Sequence, residues 1–63
     1  MCESKVVLLK GETKEVLMED VVRMEVTLKG VKCIDIMGRE KAVEDVRLLY
    51  ADLMGHEIVL ART

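Results

Sequence analysis

The residue with the most distinctive chemistry in this 63-residue chain is Cys2. A small second residue favours removal of the initiator methionine. The Cys2 amine and thiolate would then close a five-membered chelate, with the Glu3 amide nitrogen next in line. If Met1 is kept, the Met1 amine, the Cys2 amide nitrogen and the Cys2 thiolate form a comparable set. Amine, deprotonated amide and thiolate in one plane suit nickel(II) or copper(II), which prefer square-planar coordination. Thiolate disfavours magnesium and calcium. Zinc prefers a closed tetrahedral set, and the chain has neither a C-x-x-C motif nor a histidine pair to supply one. One terminus offers too few ligands, so two termini meeting at a dimer axis would complete a site. The plainer alternative is a terminal cysteine with no role.

The other reactive side chains read more simply. Cys33 lies mid-strand beside Ile34, where a free cysteine behaves as a small hydrophobe. His56 follows Gly55 in an expected turn, an ordinary place for a surface imidazole, and no second histidine exists to make a pair. Met18, Met24, Met37 and Met54 fall on apolar faces and read as core filler, with Met37 beside Gly38 a candidate for exposure. Glu19-Asp20 and Glu44-Asp45 flank expected turns and read as solvated. The sequence holds no Ser/His/Asp set, phosphate-binding glycine loop or paired-carboxylate cleft. A chain this short also has little room for a water-excluding cleft. It is not expected to be an enzyme.

Positioning these residues falls to short apolar runs separated by Gly11, Gly30, Gly38 and Gly55. Lys5 to Lys10, with Val6-Val7-Leu8-Leu9, reads as a strand that turns at Gly11-Glu12. A brief second run, Lys14 to Met18, ends at Glu19-Asp20. Val22, Met24, Val26 and Leu28 alternate with Arg23, Glu25 and Thr27, the period of a half-buried strand. Lys29-Gly30 turns this strand into Val31 to Met37, where Ile34 and Ile36 alternate with Cys33 and Asp35, and the two form a β-hairpin. Arg39 to Met54 fits two structures. Val43, Val46, Tyr50 and Leu53 have helical spacing with Gly55 as a C-cap. Alternatively, Val46 to Met54 is a strand that turns at Gly55-His56 into Ile58-Val59-Leu60.

Composition sets the scale: one domain spanning residues 1–63, 51% hydrophobic and 35% charged, with Tyr50 as the single aromatic. A domain of this size recovers only about 60% of its unfolded surface, so its core is marginal without reinforcement. Val6 to Leu9, Val21-Val22 and Leu48-Leu49 are apolar on both faces, more than one small barrel can bury. A symmetric homodimer would bury the surplus. The formal charge of −2, with both signs interspersed, argues against nucleic acid. No apolar run approaches membrane-spanning length, and the first residues do not form a secretory signal. Two cysteines without such a signal fit a reducing, cytoplasmic setting.

Several blocks in order resemble the CooT-type family of small nickel-binding proteins, associated with carbon monoxide dehydrogenase maturation. They are Met1-Cys2, Lys5-Val6-Val7-Leu8, Met18-Glu19-Asp20-Val21-Val22, Asp35-Ile36-Met37-Gly38, and Asp52-Leu53-Met54-Gly55-His56-Glu57-Ile58-Val59-Leu60. The resemblance covers nearly the whole chain. It implies an all-β, Sm- or SH3-like barrel of about six or seven short antiparallel strands that dimerises. It further implies nickel(II) bound through Cys2 of both protomers, with backbone nitrogens of Met1, Cys2 or Glu3 as co-ligands. Such a protein would store nickel or deliver it to an enzyme or its maturation factors. The barrel shape also raises an alternative, an Sm-like RNA-binding module. The acidic charge and lone aromatic count against that alternative, because single-strand binders need a basic groove and stacking platforms.

Overall fold

The computed structural model describes residues 3–63, which form six strands. They are β1 (Ser4–Lys10), β2 (Thr13–Val26), β3 (Gly30–Asp35), β4 (Glu40–Glu44), β5 (Val46–Asp52) and β6 (Glu57–Arg62). One curled sheet holds them in the order β4-β3-β2-β1-β6-β5. The all-β expectation holds, and the ambiguous segment from Arg39 to Met54 is two strands with no helix. Among the described residues no helix is long and apolar enough to cross a membrane.

One expectation about pairing is corrected. Four neighbouring pairs are antiparallel, but β1 and β6 run parallel, with Lys5 opposite Glu57 and Leu9 opposite Ala61. Alternation shows that a segment is a strand; it carries no information about which distant strand lies beside it. The chain reaches this pairing by turning a corner at Asp45 (φ 62°) between β4 and β5. The Asp45 N–H donates to the Lys29 carbonyl at 2.8 Å and its own carbonyl accepts from Thr63 N–H at 3.1 Å. The two sheet edges are thereby joined through one residue.

The second correction concerns Glu19-Asp20. These residues do not end a strand, because β2 runs through them for 14 residues. Asp20 adopts φ 58°, a left-handed conformation that Asp tolerates better than most residues. The register shifts around it, from Met18 opposite Val6 to Val21 opposite Ser4. A bulge of this kind bends the strand and lets one β2 serve both halves of the curl.

The core lies on one face, where Val6 and Leu8 of β1 meet Val21, Val31, Cys33, Val46 and Leu60. Leu17, Met18, Met24, Val43 and Ile58 pack around them. Two features differ from the alternation reading. In β3 the buried set is Val31, Cys33 and Asp35, whereas Ile34 is half-buried and Ile36 exposed. In β2, Met24 reaches the core but Val26 is exposed, as is Leu28 in the turn that follows. Met54, read as core filler, is also exposed, at 94%, and Met37, the candidate for exposure, is exposed at 75%. Both sit in turns past the last paired residues.

Val7 and Val59 are buried too, on the opposite face of the sheet. Lys14, opposite Leu9, donates to Glu57 Oε1 at 3.1 Å, and Glu57 lies opposite Lys5. A lysine stretched this way lays its methylene stem over the side chains between. Hydrogen bonding to Glu57, then to Tyr50, pushes the Lys14 ammonium above its ordinary pKa. Tyr50 sits opposite Val59. The two-faced run Val6 to Leu9 is thus largely covered within one chain. The apolar surplus lies elsewhere, on Leu48 and Leu49 of β5 and in the turns.

Candidate metal centre

Met1 and Cys2, the ligands expected from sequence, lie outside the described residues. Glu3, the third, is half-buried immediately before β1. What the fold defines is the platform from which they depart. Ser4 is opposite Val21, and Val21 is opposite Asp35, so β1, β2 and β3 form a row at this end of the sheet. On the other flank of β1, Lys5 N–H donates to the His56 carbonyl at 2.9 Å. His56 holds φ 56° in the turn between β5 and β6 and is exposed.

Asp35 anchors the row, and sequence reading passed over it. It is only 4% exposed, the one buried charged side chain among the described residues. Its Oδ1 accepts from the N–H of Met37 (3.0 Å) and of Arg39 (2.9 Å), and its Oδ2 accepts from Arg39 Nε at 2.7 Å. Burial pushes this carboxyl up, but the Arg39 N–H, the Arg39 guanidinium and the Met37 N–H together outweigh it and hold the pKa below the ordinary carboxylate range. These bonds set the β3–β4 turn, in which Gly38 takes φ 86°. The Ile36 N–H donates to the Asp20 carbonyl at 2.9 Å, which ties the turn to the β2 bulge. The hint in the sequence was an aspartate entering a Gly-containing turn, where such side chains bond their own backbone.

Around this end the exposed apolar side chains are Val22, Ile36, Met37, Leu53 and Met54. They belong to the β2 bend, the β3–β4 turn and the β5–β6 turn, all beside the start of β1. Three of the acidic groups here have partners within the chain. Asp35 is bound to Arg39, Asp52 Oδ1 accepts the Gly55 N–H at 2.9 Å, and Glu57 pairs with Lys5 (3.9 Å) and Lys14 (3.1 Å).

Cys33 is a free thiol at 1% exposure. Burial pushes its thiol up, with Lys41 opposing weakly. It stays protonated, as a core hydrophobe should and a metal ligand should not. Among the described residues no three His, Cys, Asp or Glu side chains gather as a metal cage. Tyr50, the lone aromatic, faces a lysine already engaged by Glu57. That arrangement does not favour a stacking platform for RNA.

Fold and site together describe a small all-β protein built on one curled six-stranded sheet, with the buried Asp35 and its turn at the end where β1 begins. The family described as CO dehydrogenase accessory protein CooT matches residues 1–61, and the chain belongs to the CooT family. Among solved structures, it is similar to the crystal structure of a protein provisionally described as CooT from Carboxydothermus hydrogenoformans. That match has a TM-score of 0.89 and 26% identity, and covers 98% of each chain. No curated protein sequence matches the chain at a significant level.

Proposed function

We propose that this chain is a nickel(II)-binding accessory protein, cytoplasmic and homodimeric, that stores nickel or delivers it for maturation of a carbon monoxide dehydrogenase-type enzyme. The metal is held at the N-terminal Cys2 of two protomers, with backbone nitrogens of Met1, Cys2 or Glu3 as co-ligands. The observation that carries this reading is the family match, which extends over residues 1–61 and so includes the Met1-Cys2 start. Donor chemistry is compatible with it, since thiolate with amide and amine nitrogens suits square-planar nickel(II), as it does copper(II). So is the surface. Five exposed apolar side chains lie at the strand ends around the start of β1, surface that a second copy could cover. Covering it with a second copy would bring two N-termini together.

Nickel titration of the full-length protein, followed by thiolate-to-metal absorption, tests the reading. Wild type and Cys33→Ser are expected to bind alike, and Cys2→Ser to lose binding. Equal binding by wild type and Cys2→Ser would end it, as would loss of binding confined to the Cys33 variant.

A further inference from the structure

We propose that the free edge of β4 docks an extended segment of a different protein, one carrying two basic residues four positions apart with an apolar residue midway. This binding does not depend on a metal. Among the described residues β4 ends the sheet and is hydrogen-bonded only to β3. At the two ends of that ladder the Asp35 N–H donates to the Arg39 carbonyl and the Asp45 N–H to the Lys29 carbonyl. Backbone groups of an antiparallel edge strand alternate between its partner and the open side. Lys41 and Val43 therefore face β3, while the N–H and C=O of Glu40, Ala42 and Glu44 point away from the sheet. The opposite edge, β5, shifts register between Leu48 and Tyr50, and such a bulge turns an edge away from pairing. β4 keeps an unbroken register. Lys41 does not obstruct it, because its Nζ is drawn aside to the Leu17 carbonyl at 3.1 Å.

Charge decides which strand fits. Glu40, Ala42 and Glu44 share one face of β4, and all three are exposed. Among the described residues Glu44 is in no ion pair, and Glu40 only shares Lys32, at 3.8 Å, with Glu25 at 3.6 Å. A second copy pairing antiparallel about Ala42 would set Glu40 opposite Glu44 twice, and like charges directly opposite are destabilising. A strand with basic residues at both positions makes the same two contacts favourable. This chain does not hold one: Lys10 and Lys14 are its only basic residues four apart, and Glu12 lies between them. The occupant is therefore another protein. Beside Ala42 and Glu44 lies a cavity of about 360 Å³, lined also by Leu28, Val31 and Val43, with Leu28 fully exposed. It receives the apolar middle residue. Strand addition draws its affinity from main-chain bonds and its specificity from such pockets.

The test is a titration of isotope-labelled full-length protein with the blocked peptide Ser-Lys-Thr-Leu-Thr-Lys-Ser, followed by nuclear magnetic resonance. Saturable binding is expected. The Glu40, Ala42 and Glu44 amides should gain protection from hydrogen exchange, and those of Lys41 and Val43, already bonded to β3, should gain none. Replacing both carboxylates, as Glu40→Lys with Glu44→Lys, should weaken binding by about tenfold or more. The same double variant should instead bind the peptide whose two lysines are changed to glutamate. Both positions are exposed, so the fold tolerates the change. Absence of saturable binding overturns the inference. So does equal binding of a scrambled peptide of the same composition, or protection gained along β5 in place of β4.

Discussion

Asp35 and Arg39 close the β3–β4 turn through a 2.7 Å contact between Oδ2 and Nε, with the carboxylate buried and the guanidinium largely in water. The same carboxylate accepts two backbone N–H groups, so it is fully used inside the fold. This has a consequence for acid stability. The folded pKa of Asp35 lies below its unfolded value. Its contribution is therefore fully present above the unfolded pKa, about 3.9, and is lost as pH falls through the depressed folded value. The wild-type melting temperature should fall steeply below about pH 4. Asp35→Asn should melt lower at neutral pH and show a flatter acid limb. Thermal unfolding followed by circular dichroism across that range checks both. Equal slopes in the two proteins would show that Asp35 does not govern the acid limb.

Gly30 predicts a stability loss of a different origin. It is buried where the β2–β3 turn enters β3, opposite Glu44 of β4. A Cβ there would collide with the Val43 carbonyl oxygen. Since the obstacle is strand backbone, relief requires β3 and β4 to separate. Gly30→Ala is expected to cost about 1–3 kcal/mol, the usual range for overpacking. Urea denaturation should show a lower midpoint with an unchanged slope. A midpoint equal to wild type would mean that β4 yields freely.

Leu60 tests how thin the core is. It is fully buried and opposes both Leu8 and Leu48. Leucine-to-alanine truncations in cores cost roughly 2–5 kcal/mol, while a domain of this length holds only about 3–9 kcal/mol in total. Leu60→Ala should therefore leave a substantial unfolded population without denaturant, visible as reduced strand signal and lost near-ultraviolet signal from Tyr50. Val16→Ala, at a position 47% exposed, should stay within about 0.5 kcal/mol of wild type. Similar losses in the two variants would contradict the burial pattern.

The strands were legible in the sequence wherever apolar and charged residues alternate, and the β2–β3 hairpin follows from that pattern, whereas the β5–β6 hairpin was only one of two readings of a segment that is apolar on both faces as a strand. What alternation did not show was which face would be inside once a bulge intervened. Asp20 and the register shift near Val22 exchange the two faces of β2, so Val21 is buried and Val22 is not. Asp35 was missed because a buried carboxylate is worthwhile only with donors in place, and those come from a turn whose shape the sequence does not display. The parallel β1–β6 pairing was invisible for a broader reason. It depends on the corner at Asp45 and on contacts between the two ends of the chain. The expected ligand Cys2 was read from residue chemistry alone and lies outside the described residues.

In the proposed homodimer, the exposed side chains near the start of β1 form the contact between the two copies. Met37 and Met54 project from separate turns and make little contact with the core. Replacing both, as Met37→Glu with Met54→Glu, puts two charges on each apposed surface and should favour monomers. Sedimentation should show the shift while the melting temperature of dilute protein changes little. A double variant that sediments like wild type would move the association surface elsewhere, with the exposed Leu48 and Leu49 of β5 as the next to test.

Protons should compete with nickel at the proposed centre. A free cysteine thiol titrates near 8.5, and only its thiolate binds the metal. An amine or amide nitrogen must likewise lose its proton before it can coordinate. Each proton displaced steepens the pH dependence of the apparent affinity by about tenfold per pH unit. Two thiolates with their nitrogen partners should therefore give a slope well above one when log affinity is plotted against pH between about 6 and 8. Cys33 should contribute nothing to this slope, because its burial already holds the thiol protonated. Competition titrations against a calibrated chelator, repeated with Cys33→Ser, measure both quantities. A flat profile would mean that neither thiolate nor backbone nitrogen binds the metal, and a slope altered by Cys33→Ser would mean that the core thiol takes part.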